Sequence, residues 1–118
     1  MFLLTKIRHC RIIFVMIFIE TSKFTNLIEE LLSDVEYASL QQYMLEKPDA
    51  GNVVPGSGGV RKLRWKKEGK GKSGGVRIIY YWKKSEDEIW MLTAYEKSKQ
   101  ENIPGHILKK IAEEIKNV

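Results

Sequence analysis

Histidine and cysteine are nearly missing from this 118-residue chain, which has His9, His106 and Cys10 and no others. A single cysteine excludes an internal disulfide framework, and two distant histidines offer no metal-ligand spacing. Zinc chemistry and Cys/His nucleophilic hydrolysis lose their usual residues. Long apolar runs are missing too. The longest, Ile12 to Ile19, is 8 residues, against about 20 needed to cross a bilayer. It follows Lys6, Arg8, His9 and Arg11 and so has the outline of a signal peptide. But Glu20-Thr21-Ser22-Lys23 follows where a small-x-small cleavage site belongs, and the run's Ile, Val and Phe suit a buried strand. The chain therefore reads as cytoplasmic, with no membrane partner. At 43% hydrophobic and 10% aromatic it has the means to build a core, which argues against disorder. Its length fits one domain.

Charge is present, and it is uneven. The formal net charge is +5. Residues 61–84 hold ten bases (Arg61, Lys62, Arg64, Lys66, Lys67, Lys70, Lys72, Arg77, Lys83 and Lys84) against one acid, Glu68. That ribbon is net +9, and the segments on either side are each net −2. Concentrated positive potential favours a polyanion through counterion release. Trp65, Tyr80, Tyr81 and Trp82 interleave with the bases, as core residues or as groups on which bases stack.

The pattern of elements is β-α-α-β-β-β-α. Met16 is an alternative translation start, which would make residues 1–15 an extension and residues 16–118 a single domain beginning with the strand Met16–Glu20. Thr21 to Leu32 predicts a helix, with Phe24, Leu27, Ile28, Leu31 and Leu32 on one face. Ser33-Asp34-Val35-Glu36 is a capping box. It opens a second helix to Glu46, with Val35, Ala38, Leu40, Tyr43, Met44 and Leu45 as expected core and Pro48 as its stop. Residues 48–59 are a Pro- and Gly-rich connector. In the strand 60–65, Val60, Lys62 and Arg64 share one face, and Arg61, Leu63 and Trp65 the other. Residues 76–83 and 89–95 form an antiparallel hairpin, and a last helix runs from about Pro104 to Lys116, with Ile107, Leu108, Ile111, Ala112 and Ile115 as its apolar stripe. Without regular βα alternation the class is α+β.

Gly69-Lys70-Gly71-Lys72-Ser73-Gly74-Gly75 is not a Walker A loop. A lysine, five residues before Gly71, stands where its first glycine belongs, and a strand follows instead of a helix. As a basic glycine loop it suits a phosphodiester backbone. Enzymatic work on RNA is also open to such a chain. A 2′-OH can attack its own phosphate once held in line, and crowded Lys and Arg stabilise the charge that develops. A lysine with a depressed pKa can move protons. Such a site is slow unless its substrate is pre-positioned.

Several motifs occur together: Met16-Ile17-Phe18-Ile19-Glu20-Thr21, Leu32-Ser33-Asp34-x-Glu36-Tyr37, Pro48-Asp49-Ala50-Gly51, Pro55-Gly56-x-Gly58-Gly59-x-Arg61-Lys62-x-Arg64, Gly69-Lys70-Gly71-Lys72-x-Gly74-Gly75-x-Arg77-Ile78-Ile79-Tyr80-Tyr81 and Leu92-Thr93-x-Tyr95-x-Lys97. From Met16 to the C-terminus the chain resembles the HigB-like branch of the RelE toxin superfamily. The resemblance implies a small twisted antiparallel sheet packed against an N-terminal helical hairpin, plus a C-terminal helix. It also implies the toxin of a type II toxin–antitoxin pair, a metal-independent and cofactor-free endoribonuclease that cuts mRNA on the ribosome. Its expected partners are the ribosome, mRNA and a HigA-like helix-turn-helix antitoxin. By position, Arg77 matches the arginine that contacts the scissile phosphate, and Lys62 and Arg64 the basic pair of proton transfer and phosphate clamping. Lys97 matches a basic position at the rim of the site. Arg61, Lys70 and Lys72 are expected to grip RNA. The usual C-terminal aromatic is missing after Tyr95, so either Tyr95 or Trp82 takes the stacking role or the site lacks it. The competing readings are a non-catalytic RNA- or DNA-binding module, and a protein whose ribbon only holds an acidic antitoxin segment.

Overall fold

The computed structural model describes the backbone of residues 2–9, 12–66, 75–99 and 102–118, and side chains within those ranges from Met16 onward. Six strands and three helices occur in the order β1 (Phe2–His9), β2 (Ile12–Glu20), α1 (Ser22–Leu31), α2 (Asp34–Glu46), β3 (Asn52–Val53), β4 (Arg61–Trp65), β5 (Val76–Lys83), β6 (Glu88–Glu96) and α3 (Gly105–Lys116). They form one sheet of order β1-β2-β6-β5-β4-β3. The class is α+β, as expected.

The helical hairpin has local causes. Thr21 caps α1 by accepting from the Phe24 amide at 3.0 Å and fastens the helix to the sheet by donating to the Leu92 carbonyl at 2.8 Å. The Ser33/Glu36 capping box closes in both directions, at 3.1 and 2.9 Å. Phe24, Ile28, Leu40, Met44 and Leu45 of the two helices bury against Leu63, Ile78, Tyr80, Ile89 and Met91 on one face of the sheet. On the opposite face Leu108, Ala112 and Ile115 of α3 bury against Val60, Ile79, Leu92 and Tyr95. The period-2 alternation of β5 divides its side chains between these two cores.

Four expectations need correction. The sheet is mixed, because β2 pairs with β6 in parallel, Ile17 opposite Glu88 through Glu20 opposite Met91. The path through both helices and the next three strands returns β6 in the direction of β2, and such a crossover yields a parallel pair. The first strand is longer than Met16–Glu20, and β1 pairs along it from Phe2↔Ile19 to His9↔Ile12. The connector contains β3, held by two register pairs to β4. Val35 is not core: it is 77% exposed, on the first turn of α2 where the helix faces solvent. Ala38 also lies exposed. No described helix is long and apolar enough to cross a membrane.

Candidate active site

The α3 face of β4, β5 and β6 collects most of the predicted site. Cross-strand pairs share a face, so register shows which side chains are neighbours. Arg64 lies opposite Arg77, and Arg77 opposite Tyr95. One row across three strands thus reads Arg64–Arg77–Tyr95. Lys62 lies two residues along β4 on the same face, opposite Ile79. Lys97 follows the end of β6, where its amide donates to the Gly75 carbonyl at 3.2 Å. Lys66 continues the alternation of Lys62 and Arg64 and is exposed. The sequence reading did not single it out, although the alternation carries that signal.

Arg77 has an unusual position for a guanidinium. It is only 7% exposed, and neither described ion pair involves it; those join Lys83 to Glu86 and Lys99 to Glu96. A buried charge facing another cation is expensive unless an anion answers it. The residue just before its strand is a glycine for a steric reason: a Cβ on Gly75 would lie 3.1 Å from Arg77 Nη1. Gly75 therefore leaves the space the guanidinium occupies.

Lys62 is held in place. Its Nζ donates to Asn102 Oδ1 at 2.8 Å, which ties β4 to the segment entering α3. That segment runs close to β3–β4, since a Cβ on Gly105 would collide with the Pro55 carbonyl oxygen. Tyr95 is 6% exposed, and its buried phenol oxygen has no hydrogen-bond partner among the described residues. Burial pushes the phenol pKa above its usual 10.0, and the Arg77 charge pulls partly against that shift. The phenol stays protonated, and a donor, at neutral pH.

Other predicted residues fall elsewhere. Arg61 lies on the opposite face, where its Nη1 donates to the Gly51 carbonyl at 2.7 Å and the Asp49 carbonyl at 3.2 Å. In this position it ties down a turn. Trp82 packs against the core under the helical hairpin, away from Tyr95. Lys70 and Lys72 lie outside the described residues. Lys83 belongs to the basic ribbon, yet it is buried and donates to the carbonyls of Ile115 and Val118, both at 3.1 Å. It caps the end of α3. Among the described residues no three His, Cys, Asp or Glu side chains gather as metal ligands would.

The arrangement can hold a phosphate between Arg64 and Arg77, bring an ammonium group beside it, and offer a neutral phenol. Residues 38–118 match the family described as the RelE toxin of the RelE/RelB toxin–antitoxin system. The chain belongs to the RelE toxin family. The matched span begins within α2 and contains every predicted site residue, whereas β1, β2 and α1 precede it. As a RelE-family toxin the chain belongs to a type II toxin–antitoxin system, which gives it an antitoxin partner.

Proposed function

We propose that this RelE-family toxin is a ribosome-dependent mRNA endonuclease of the HigB type, neutralised by a HigA-like helix-turn-helix antitoxin. The observation that carries the reading is the facing pair Arg64–Arg77, with the second guanidinium buried and without a carboxylate partner among the described residues. Such a pair suits a phosphate whose negative charge grows during reaction.

In the proposed reaction the RNA 2′-oxygen forms a bond to the adjacent phosphorus and the P–O5′ bond breaks. The 2′-OH proton leaves to a base, and the departing 5′-oxygen gains one. The products are a 2′,3′-cyclic phosphate and a 5′-OH end. Arg64 and Arg77 hold the phosphate. Lys62, fixed by Asn102, serves proton transfer. Lys97 stands at the rim, with Lys70 and Lys72 on the flanking RNA. The described side chains of this row include neither histidine nor carboxylate, so rate must come from a substrate already in line. A codon presented on the ribosome meets that need.

The test compares purified mRNA alone with the same mRNA on translating ribosomes, without added metal. The proposal expects cuts within codons in the second case, bearing cyclic phosphate ends, and little cutting in the first. Equal cutting of free mRNA would refute ribosome dependence. No cutting in either case would refute the nuclease.

A further inference from the structure

The turn that Arg61 ties down has a second anchor on the same face of the sheet. Tyr80 of β5 is fully buried. Its phenol donates to the Pro48 carbonyl at 2.7 Å and accepts from the Gly51 amide at 2.9 Å. Arg61 lies directly opposite Tyr80 across β4 and β5, and its guanidinium holds the carbonyls of Asp49 and Gly51. Two neighbouring side chains thus grip the backbone of one four-residue turn. Gly51 is buried and has no room for a side chain: a Cβ there would lie 2.9 Å from Tyr80 Cε1 and 3.1 Å from the Lys62 carbonyl carbon. The turn therefore packs against both the Tyr80 ring and the β4 backbone at Lys62. The next two residues are β3, in which Asn52 pairs with Lys62 and Val53 with Arg61. A strand this short is below the usual length and has little hold of its own. On the other face of β4, Lys62 reaches Asn102.

The geometry points to Tyr80 and Arg61 as positioning residues for Lys62, acting through the turn 48–51 from the side of the sheet opposite the Arg64–Arg77 row. They fix the turn, the turn fixes β3 against β4, and that pairing fixes the backbone from which the Lys62 ammonium extends. The inference rests on the proposed nuclease reading, in which Lys62 serves proton transfer, and it gives Arg61 a part in that reaction without a contact to RNA. Loss of the Tyr80 oxygen would leave the Gly51 amide and the Pro48 carbonyl without these partners. Buried backbone groups do not stay unpaired, so the turn would shift until water or another group met them. A catalytic group displaced by about 1 Å through a change far from the chemistry loses on the order of 10²-fold in rate.

The test measures kcat and KM for cleavage of ribosome-bound mRNA, together with the NMR signals of the Lys62 ε-methylene and the Asn102 side-chain amide in the full chain. Tyr80→Phe keeps the ring and removes the oxygen. It should lower kcat by about tenfold to a hundredfold and leave KM unchanged. Arg61→Met, at a half-buried position, should lower kcat by about threefold to tenfold, the effect of one hydrogen bond. Both should move the Lys62 and Asn102 signals. Ile28→Val, a core change in α1 outside the turn and its strands, should lower the melting temperature and leave kcat and those signals as they are. Unmoved signals or unchanged kcat in both clamp variants overturn the proposal. So does a raised KM at unchanged kcat in Arg61→Met, which marks a direct grip on RNA, and so does an equal loss of kcat in Ile28→Val. Where Tyr80→Phe does not fold, Arg61→Met decides alone. The two readings fail separately. A wild-type chain that cuts nothing sinks the nuclease and leaves the Lys62 signals to judge the clamp, while cleavage with unmoved signals sinks the clamp alone.

Discussion

At the scale of single residues, the site depends on small steric permissions as much as on charge. Gly75 shows this, because the atom it lacks would press on Arg77 Nη1. Gly75→Ala should leave the fold intact and lower cleavage on the order of 10- to 100-fold, the usual effect of a displaced catalytic group. Ribosome-bound mRNA cleavage, measured with a thermal melt of the same sample, checks this; unchanged cleavage would show that the guanidinium is not held by this packing. The phenols supply a second residue-scale prediction. Burial raises the pKa of Tyr80 and Tyr95. Tyr37 is raised by burial and by its hydrogen bond to Glu20. A group with a raised pKa in the folded state contributes its stabilisation below its unfolded value, and loses it as pH climbs through the folded value. The chain should therefore keep its melting temperature up to about the ordinary phenol pKa of 10.0 and lose it steeply above. Tyr37→Phe should shallow that alkaline decline. A decline of equal steepness in the variant would exclude Tyr37 as a contributor.

At the scale of elements, legibility in the sequence followed the range of the determining interactions. The structure matches the expected bounds of α2 and β5, since a capping box and a run rich in β-branched and aromatic residues are local signals. β3 is two residues in a glycine-rich connector, and only its pairing with β4 makes it a strand. Alternation put Lys62 and Arg64 on one face, but the neighbours of Arg64 depend on cross-strand register, which no local pattern encodes. The Lys62–Asn102 bond joins residues 40 apart in sequence and left no sequence signal. Lys83 looked like ribbon charge and is instead a buried cap on α3. Lys83→Met keeps its packing and removes the two charged hydrogen bonds, so it should cost about 2 kcal/mol. It should also raise hydrogen exchange in the last turn of α3 ahead of β5. Uniform exchange changes across the chain would contradict a local cap.

At the scale of the whole molecule, the net charge of +5 resolves into a ribbon with several jobs. Arg61 ties a turn and Lys83 caps a helix, while Lys62, Arg64 and Arg77 gather on one face of the sheet. α3 covers that same face, and its entering segment holds Lys62. The helical hairpin packs its buried residues on the other side of the sheet, and strand register sets the row. RNA held by such a surface should lose affinity steeply with added salt, through release of counterions.

If the chain is the proposed ribonuclease, its activity depends on Arg77 on this face. The most direct measurement is induction of the wild-type chain and of Arg77→Ala in cells, with mRNA 5′ ends mapped transcriptome-wide and folding of both proteins verified by thermal melting. Loss of one such charge-stabilising donor typically costs about 10²–10³ in rate. Growth arrest and new 5′ ends inside translated codons are expected for the wild type, and neither for a folded Arg77→Ala chain. A folded Arg77→Ala protein that arrests growth and leaves the same cuts would contradict it.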